Sequence, residues 1–144
     1  MKRFAVFCLI PVLAAACATS PVSLSEAKPV PADRVFAHSR PIDEPSGQLV
    51  VVRDQGALGA ACPIALYVDG QIAAHFRTSE TLTFHLPVGQ HVIGAGPSGG
   101  GVCSWTNEAA HRREIAHTVE AGRQSKMRLS ITQQGLYQIT PTAF

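Results

Sequence analysis

The chain has 144 residues, with 12 lysines and arginines against 10 aspartates and glutamates, and 46% of its residues are hydrophobic. That length fits one domain around a single modest core. Lys2 and Arg3 stand at the very start, and without them the balance is 10 cations against 10 anions; no basic stripe remains to neutralise phosphates, so nucleic acid is excluded as the expected partner.

Met1-Lys2-Arg3 runs into the apolar stretch Phe4 to Leu13 and then into Ala14-Ala15-Ala16-Cys17. A basic start, a short apolar run and small residues before a cleavage point form an export signal. The run is shorter than the about 20 residues that a bilayer core requires, and Pro11 interrupts it. These residues resemble the lipobox of bacterial lipoprotein precursors, with Ala14 where the family usually carries Leu and Leu13 one position earlier. The resemblance implies a signal peptide over residues 1–16, diacylglycerol on Cys17, and membrane attachment through that lipid. Each buried methylene contributes about 0.8 kcal/mol, so a multiply acylated Cys17 stays on its membrane. Ala18 after the cysteine is compatible with sorting to the outer membrane, facing the periplasm, in the Gram-negative members of that group.

Residues 17–46 carry Pro21, Pro29, Pro31, Pro41 and Pro45 among serines and alanines. Repeated prolines favour extended, solvated chain, so this segment reads as a tether. Within it Pro31 to Ala37 suits one helical turn, with Val35 and Phe36 apolar enough to dock on the domain.

Residues 47–144 change to short strands separated by turn residues, the pattern of an all-β antiparallel sandwich of seven or eight strands. Leu49 to Arg53 is the first, followed by Ile64 to Val68, the Asp69-Gly70 hairpin signal and Gln71 to Phe76. Thr81 to Leu86 alternates with apolar residues at even numbers, which puts one face in the core. Pro87-Val88-Gly89 reads as a three-residue hairpin turn returning through Gln90 to Ala95. Gly96 to Gly101 holds Pro97 and four glycines and reads as a loop. Ala110 to Val119 and Gln124 to Thr132 follow as strands turned at Ala121-Gly122, although Asn107 to Ala116 also fits a helix. Gly135 to Thr140 closes the domain.

Cysteine use agrees with an oxidising compartment. Cys8 leaves with the signal and Cys17 is taken by lipid, so Cys62 and Cys103 remain as a pair and are expected to be bridged. Closing a loop of about 40 residues contributes roughly 4 kcal/mol in the chain-entropy model. Their spacing forms no Cys-x-x-Cys, which argues against redox or metal work.

Val52-Arg53-Asp54, Cys62, Tyr67-Val68-Asp69-Gly70 with Ala73, and Pro87-Val88-Gly89-Gln90-His91 resemble small, mostly uncharacterised bacterial envelope lipoproteins whose β-sandwich is related to the Ig-like PEGA surface domain. The likeness runs from about Pro31 to the C-terminus. It implies an envelope-facing sandwich with no established catalytic role. Pro87-Val88-Gly89 separates by one residue the Pro-Gly pair usual in that group.

Gly96-Pro97-Ser98-Gly99-Gly100 matches Gly-x-Ser-x-Gly, but a nucleophile elbow needs a strand-to-helix turn, whereas here proline precedes the serine and glycines follow it. Ser25-Glu26-Ala27-Lys28 matches Ser-x-x-Lys in the tether, where no cavity holds it. His85 and His91 would face each other if Pro87 to Gly89 closes a hairpin, with His75 as a third imidazole; a solvent-facing cross-strand pair is the preferred reading and a shared metal the lesser one. Arg53 and Asp54 read as an internal pair or a turn cap. Trp105, beside Gly99 and Gly100, either packs on the disulfide or serves as an exposed anchor for a sugar or a protein.

The expected function is therefore non-enzymatic and cofactor-free: a lipid-anchored envelope sandwich that binds a protein or glycan through the loop around Gly96 to Thr106. The second expectation is a component of an envelope or secretion assembly, and a hydrolase using Ser98 stands third.

Overall fold

A computed structural model of the chain describes residues 19–99, 103 and 111–143. Among the described residues nine strands form two sheets, with β1 at Lys28–Pro29, β2 at Ser46–Arg53, β3 at Ile64–Val68, β4 at Gln71–Phe76 and β5 at Glu80–Pro87. β6 spans Gly89–Pro97, β7 Arg113–Val119, β8 Gln124–Ile131 and β9 Tyr137–Pro141. The first sheet has the order β1-β5-β2-β8-β9 and the second β4-β3-β6-β7.

The two sheets share one core because alternate residues of each strand turn inward. Leu49 and Val51 of β2, Phe84 and Leu86 of β5 and Leu129 of β8 meet Ile64 and Leu66 of β3 and Ile93 of β6 in one apolar cluster. The even-numbered face of Thr81 to Leu86 is the core face. Val50 and Val52 point away from that cluster yet are buried. They lie in register beside Lys126 and Arg128 of β8 and Thr83 and Thr81 of β5.

Asp69 and Gly70 take φ of +49° and +85°, the left-handed pair of a two-residue hairpin, and join β3 to β4. Pro87 to Gly89 does something different from the expected hairpin. β5 lies in the first sheet and β6 in the second, so this segment carries the chain between layers. The turn at Ala121-Gly122 likewise passes from β7 to β8 in the opposite sheet. Local turn chemistry specifies the reversal, but which layer receives the returning strand depends on where its apolar face finds a partner.

The sheets are not wholly antiparallel; the described strands from residue 46 onward number eight, as expected, and β1 adds a ninth from the preceding segment. β2 and β8 pair in parallel from Gln48↔Gln124 to Arg53↔Leu129, and β1 pairs in parallel with β5. β1 belongs to the segment read as a tether. From Thr19 onward that segment lies against the sandwich: Val22 and Val30 are buried, Ser20 bridges Gln55, and Val35 bridges Ala74. Prolines keep it extended, while its backbone donors find acceptors on strand edges, as in Val30 N to Thr81 O and Phe36 N to Ala73 O. The expected turn forms as a 3-10 helix at Ala32–Arg34. In the 107–116 region β7 begins at Arg113, and residues 104–110 lie outside the described residues.

Candidate functional site

The strand directions give the sandwich two poles. At one, β2, β6 and β8 end and β3, β5, β7 and β9 begin; at the other stand Asp69-Gly70, Pro87 to Gly89 and Val119 to Gln124.

The first pole is organised by two buried charged residues next to one another in sequence, which do not pair with each other; of the two expectations for them, the internal pair is replaced by capping of backbone by Arg53. Arg53 closes β2 with its side chain inside, 1% exposed. Its guanidinium donates to the carbonyls of Cys62 at 2.8 Å, Phe76 at 2.7 Å and Gly59 at 2.8 Å. Five N–H donors in a planar fork are what let one side chain hold three separate backbone segments. Burial pulls its pKa down to about 10, still well above neutrality, so the guanidinium stays charged with neutral carbonyls around it. Asp54 points the other way and is fully buried. It pairs with Arg128 of β8 through both nitrogens of one guanidinium edge and accepts from the Thr19 hydroxyl at 3.3 Å.

Cys62 follows on the same loop. Its sulfur lies 2.15 Å from that of Cys103, with Cα atoms 5.5 Å apart, closing a loop of 41 residues. The Cys62 carbonyl is itself an Arg53 acceptor, so guanidinium and disulfide hold one point from two sides. Beside it Glu80 forms a fork with Arg34 at 2.5 and 2.7 Å and accepts from the Arg77 amide at 2.6 Å. Burial raises the Glu80 carboxyl pKa, but these donors outweigh it and keep the group below its ordinary value.

Ser98 and Gly99 come directly after β6 at this same pole, with Ser98 beyond Pro97. Gly96 is inside β6, not in the loop. With Gly94 it opens room on the outer sheet face for Tyr67, and a Cβ at Gly96 would stand 3.4 Å from the Tyr67 ring. Arg112 lies over that ring at 3.9 Å from its centroid. The Gly-x-Gly spacing opposite Tyr67 was the legible signal of this stack, which sequence reasoning missed. Gly100, Trp105 and Cys17 lie outside the described residues.

The histidines occupy other places than expected. His85 of β5 stands opposite Gln48, while His91 of β6 stands opposite His117 of β7. The expected His85–His91 pair is thus corrected by the layer change at Pro87 to Gly89. His91 donates from Nδ1 to Asp69 Oδ2 at 2.7 Å and from Nε2 to the Pro87 carbonyl at 2.9 Å. Both partners are acceptors, so the arrangement is complete only for the imidazolium. Burial lowers the His91 pKa, but Asp69 and the Pro87 carbonyl outweigh it and hold it above its ordinary value. His117 sits next to Ser125 at 2.9 Å; burial and the neighbouring His91 lower its pKa. His75 is remote from both, edge-on to Phe36, and is also lowered, by burial and by Arg34. Among the described residues, no three His, Cys, Asp or Glu side chains converge as metal ligands.

No protein-family model, no curated protein and no solved structure matches the chain.

Proposed function

We propose that this chain is a lipid-anchored protein of the bacterial cell envelope whose β-sandwich, of the PEGA-like kind, acts by contact and not by catalysis. The observation that carries the reading is the order of residues at the start: two cations, a short apolar run, three alanines and Cys17. The bridged Cys62 and Cys103 suit the oxidising side of a membrane. The contact surface in this reading is the segment from Ser98 to Thr106, with a protein or glycan as its partner.

The test is metabolic labelling of the full chain with an alkyne fatty acid, followed by fractionation. Label on the mature protein and its loss in Cys17→Ser support the anchor; an unlabelled protein with its leader intact overturns it. Photocrosslinking from position 99 in intact cells then reports the contact.

A second reading, a component of a larger envelope assembly, is favoured by β9. This edge strand, Tyr137–Pro141, contains no charged residue and pairs only with β8 among the described strands. Natural edges usually carry charges that block further pairing. Crosslinks captured from Gln138 but not from position 99 would favour the assembly.

A further inference from the structure

We infer that the pole carrying Gln55, Ser98 and Leu136 is seated on the bilayer, so that the sandwich stands directly on its lipid anchor with no free tether between. The inference rests on the proposed acylation of Cys17 and adds the orientation of the molecule and the surface that meets lipid.

The first ground is chain length. Thr19 is fixed: its hydroxyl lies 3.3 Å from both Asp54 Oδ2 and the Ile131 carbonyl. Ser20 N donates to Gln55 O at 2.8 Å, and Gln55 N donates back to Ser20 O at 3.0 Å. Only Ala18 separates Thr19 from Cys17. Two Cα–Cα steps reach at most about 7.6 Å, so the acylated residue lies within that distance of this pole. A headgroup layer is of similar thickness, about 5–7 Å.

The second ground is charge. The described residues of the connections at this pole are 54–63, 77–79, 98–99 with 103, 111 and 112, and 132–136, and the charges among them are Asp54, buried and paired with Arg128, exposed Arg77, and Arg112, paired with exposed Glu114 of β7. The docked N-terminal segment adds Glu26 and Lys28, one of each sign, and Arg113 opens β7. Ala57, Ala60 and Ala61 are exposed on the first of these loops, and Leu136 is 37% exposed on the last. At the opposite pole the connections present exposed Asp43, Glu44, Asp69 and Glu120 against exposed Arg40 and Arg123. A pole whose described charges are few and on balance basic is not repelled by anionic headgroups, while a pole with four exposed carboxylates is.

The consequence for the proposed contact segment is geometric. Ser98 and Gly99 share this pole, so a partner bound there would meet the sandwich at the membrane surface.

The experiment uses the mature acylated protein purified from membranes and reconstituted in phosphatidylethanolamine–phosphatidylglycerol vesicles. A fluorescent amino acid replaces Leu136 or, at the far pole, Val88, and doxyl-labelled lipid is the quencher. Quenching about threefold stronger at 136 than at 88 is expected for a seated pole. Equal quenching, or stronger quenching at 88, in protein whose Cys17 carries the acyl mass overturns the orientation and leaves the anchor standing. Protein without that mass overturns both. A Gln133-substituted probe gives the same reading should position 136 not tolerate replacement.

Discussion

Arg53 shows what one residue contributes when its partners are backbone atoms from three places. The carbonyls of Gly59, Cys62 and Phe76 have been withdrawn from water, and each loses a donor if the guanidinium goes. Arg53→Met is expected to destabilise the protein by about 3 kcal/mol or more, read as a lower urea midpoint, and Arg53→Lys to recover only part because one ammonium cannot reach all three. His91 makes a different prediction. Its folded pKa lies above the free value, so its stabilisation is complete below about pH 6.5 and is lost as pH rises through the raised value. Asp69, held low despite burial by the Val92 amide and by His91, keeps its contribution above its ordinary carboxyl range and loses it as pH falls through the depressed value. His75 and His117 act oppositely to His91, because lowered imidazoles favour the folded state as pH rises through the ordinary histidine range. In a histidine NMR titration His91 should titrate highest of these three. His91→Gln should move His117 upward, since the neighbouring positive charge is gone; an unmoved His117 would contradict the cross-strand coupling.

At the scale of elements, the N-terminal segment and the disulfide loop decide how the pole is held. Residues 19–37 were legible as proline-rich and extended, but extended chain can be solvated or laid on a sheet edge, and composition does not separate the two. Here the edge of β4 takes the Phe36 amide and the edge of β5 takes the Val30 amide, while Arg34 reaches Glu80. Trypsin should therefore cut after Arg34 slowly in the wild type and several-fold faster in Glu80→Gln, which removes one oxygen charge from the fork; equal rates would mean that the segment is free. Cys62 and Cys103 together with Arg53 fix the next loop. Replacing both cysteines by serine is expected to lower stability by roughly 4 kcal/mol in thermal or urea unfolding, the value for a loop of this length. The loss should fall in the connection running to Cys103 more than in 57–62, because Arg53 still grips Gly59 and Cys62, and hydrogen exchange would show the difference.

For the molecule as a whole, strands distant in sequence lie side by side, as with β2 and β8, whose partners are 76 residues apart at Gln48 and Gln124. Sheets built on such pairings close large loops before any contact rewards them, so refolding with the disulfide intact should take milliseconds to seconds in stopped-flow measurements. Microsecond folding would argue against the observed layer assignment. The poles differ in their described residues: the connections at the one beside Thr19 hold few exposed carboxylates, while those at the far pole hold Asp43, Glu44, Asp69 and Glu120.

The sequence by itself determined the positions of the eight main strands, the Asp69-Gly70 hairpin and the inward face of Thr81 to Leu86, because period-two alternation and left-handed turn residues act over a few neighbours. It also isolated Cys62 and Cys103 as the remaining pair. Only the tertiary structure decided that Pro87 to Gly89 and Ala121-Gly122 cross between layers, that His91 faces His117 and not His85, and that Arg53 caps three carbonyls while Asp54 turns to Arg128. Those outcomes depend on which sheet buries each strand's apolar face and on which backbone groups are left without water, and both are properties of the assembled core that no local stretch of residues contains.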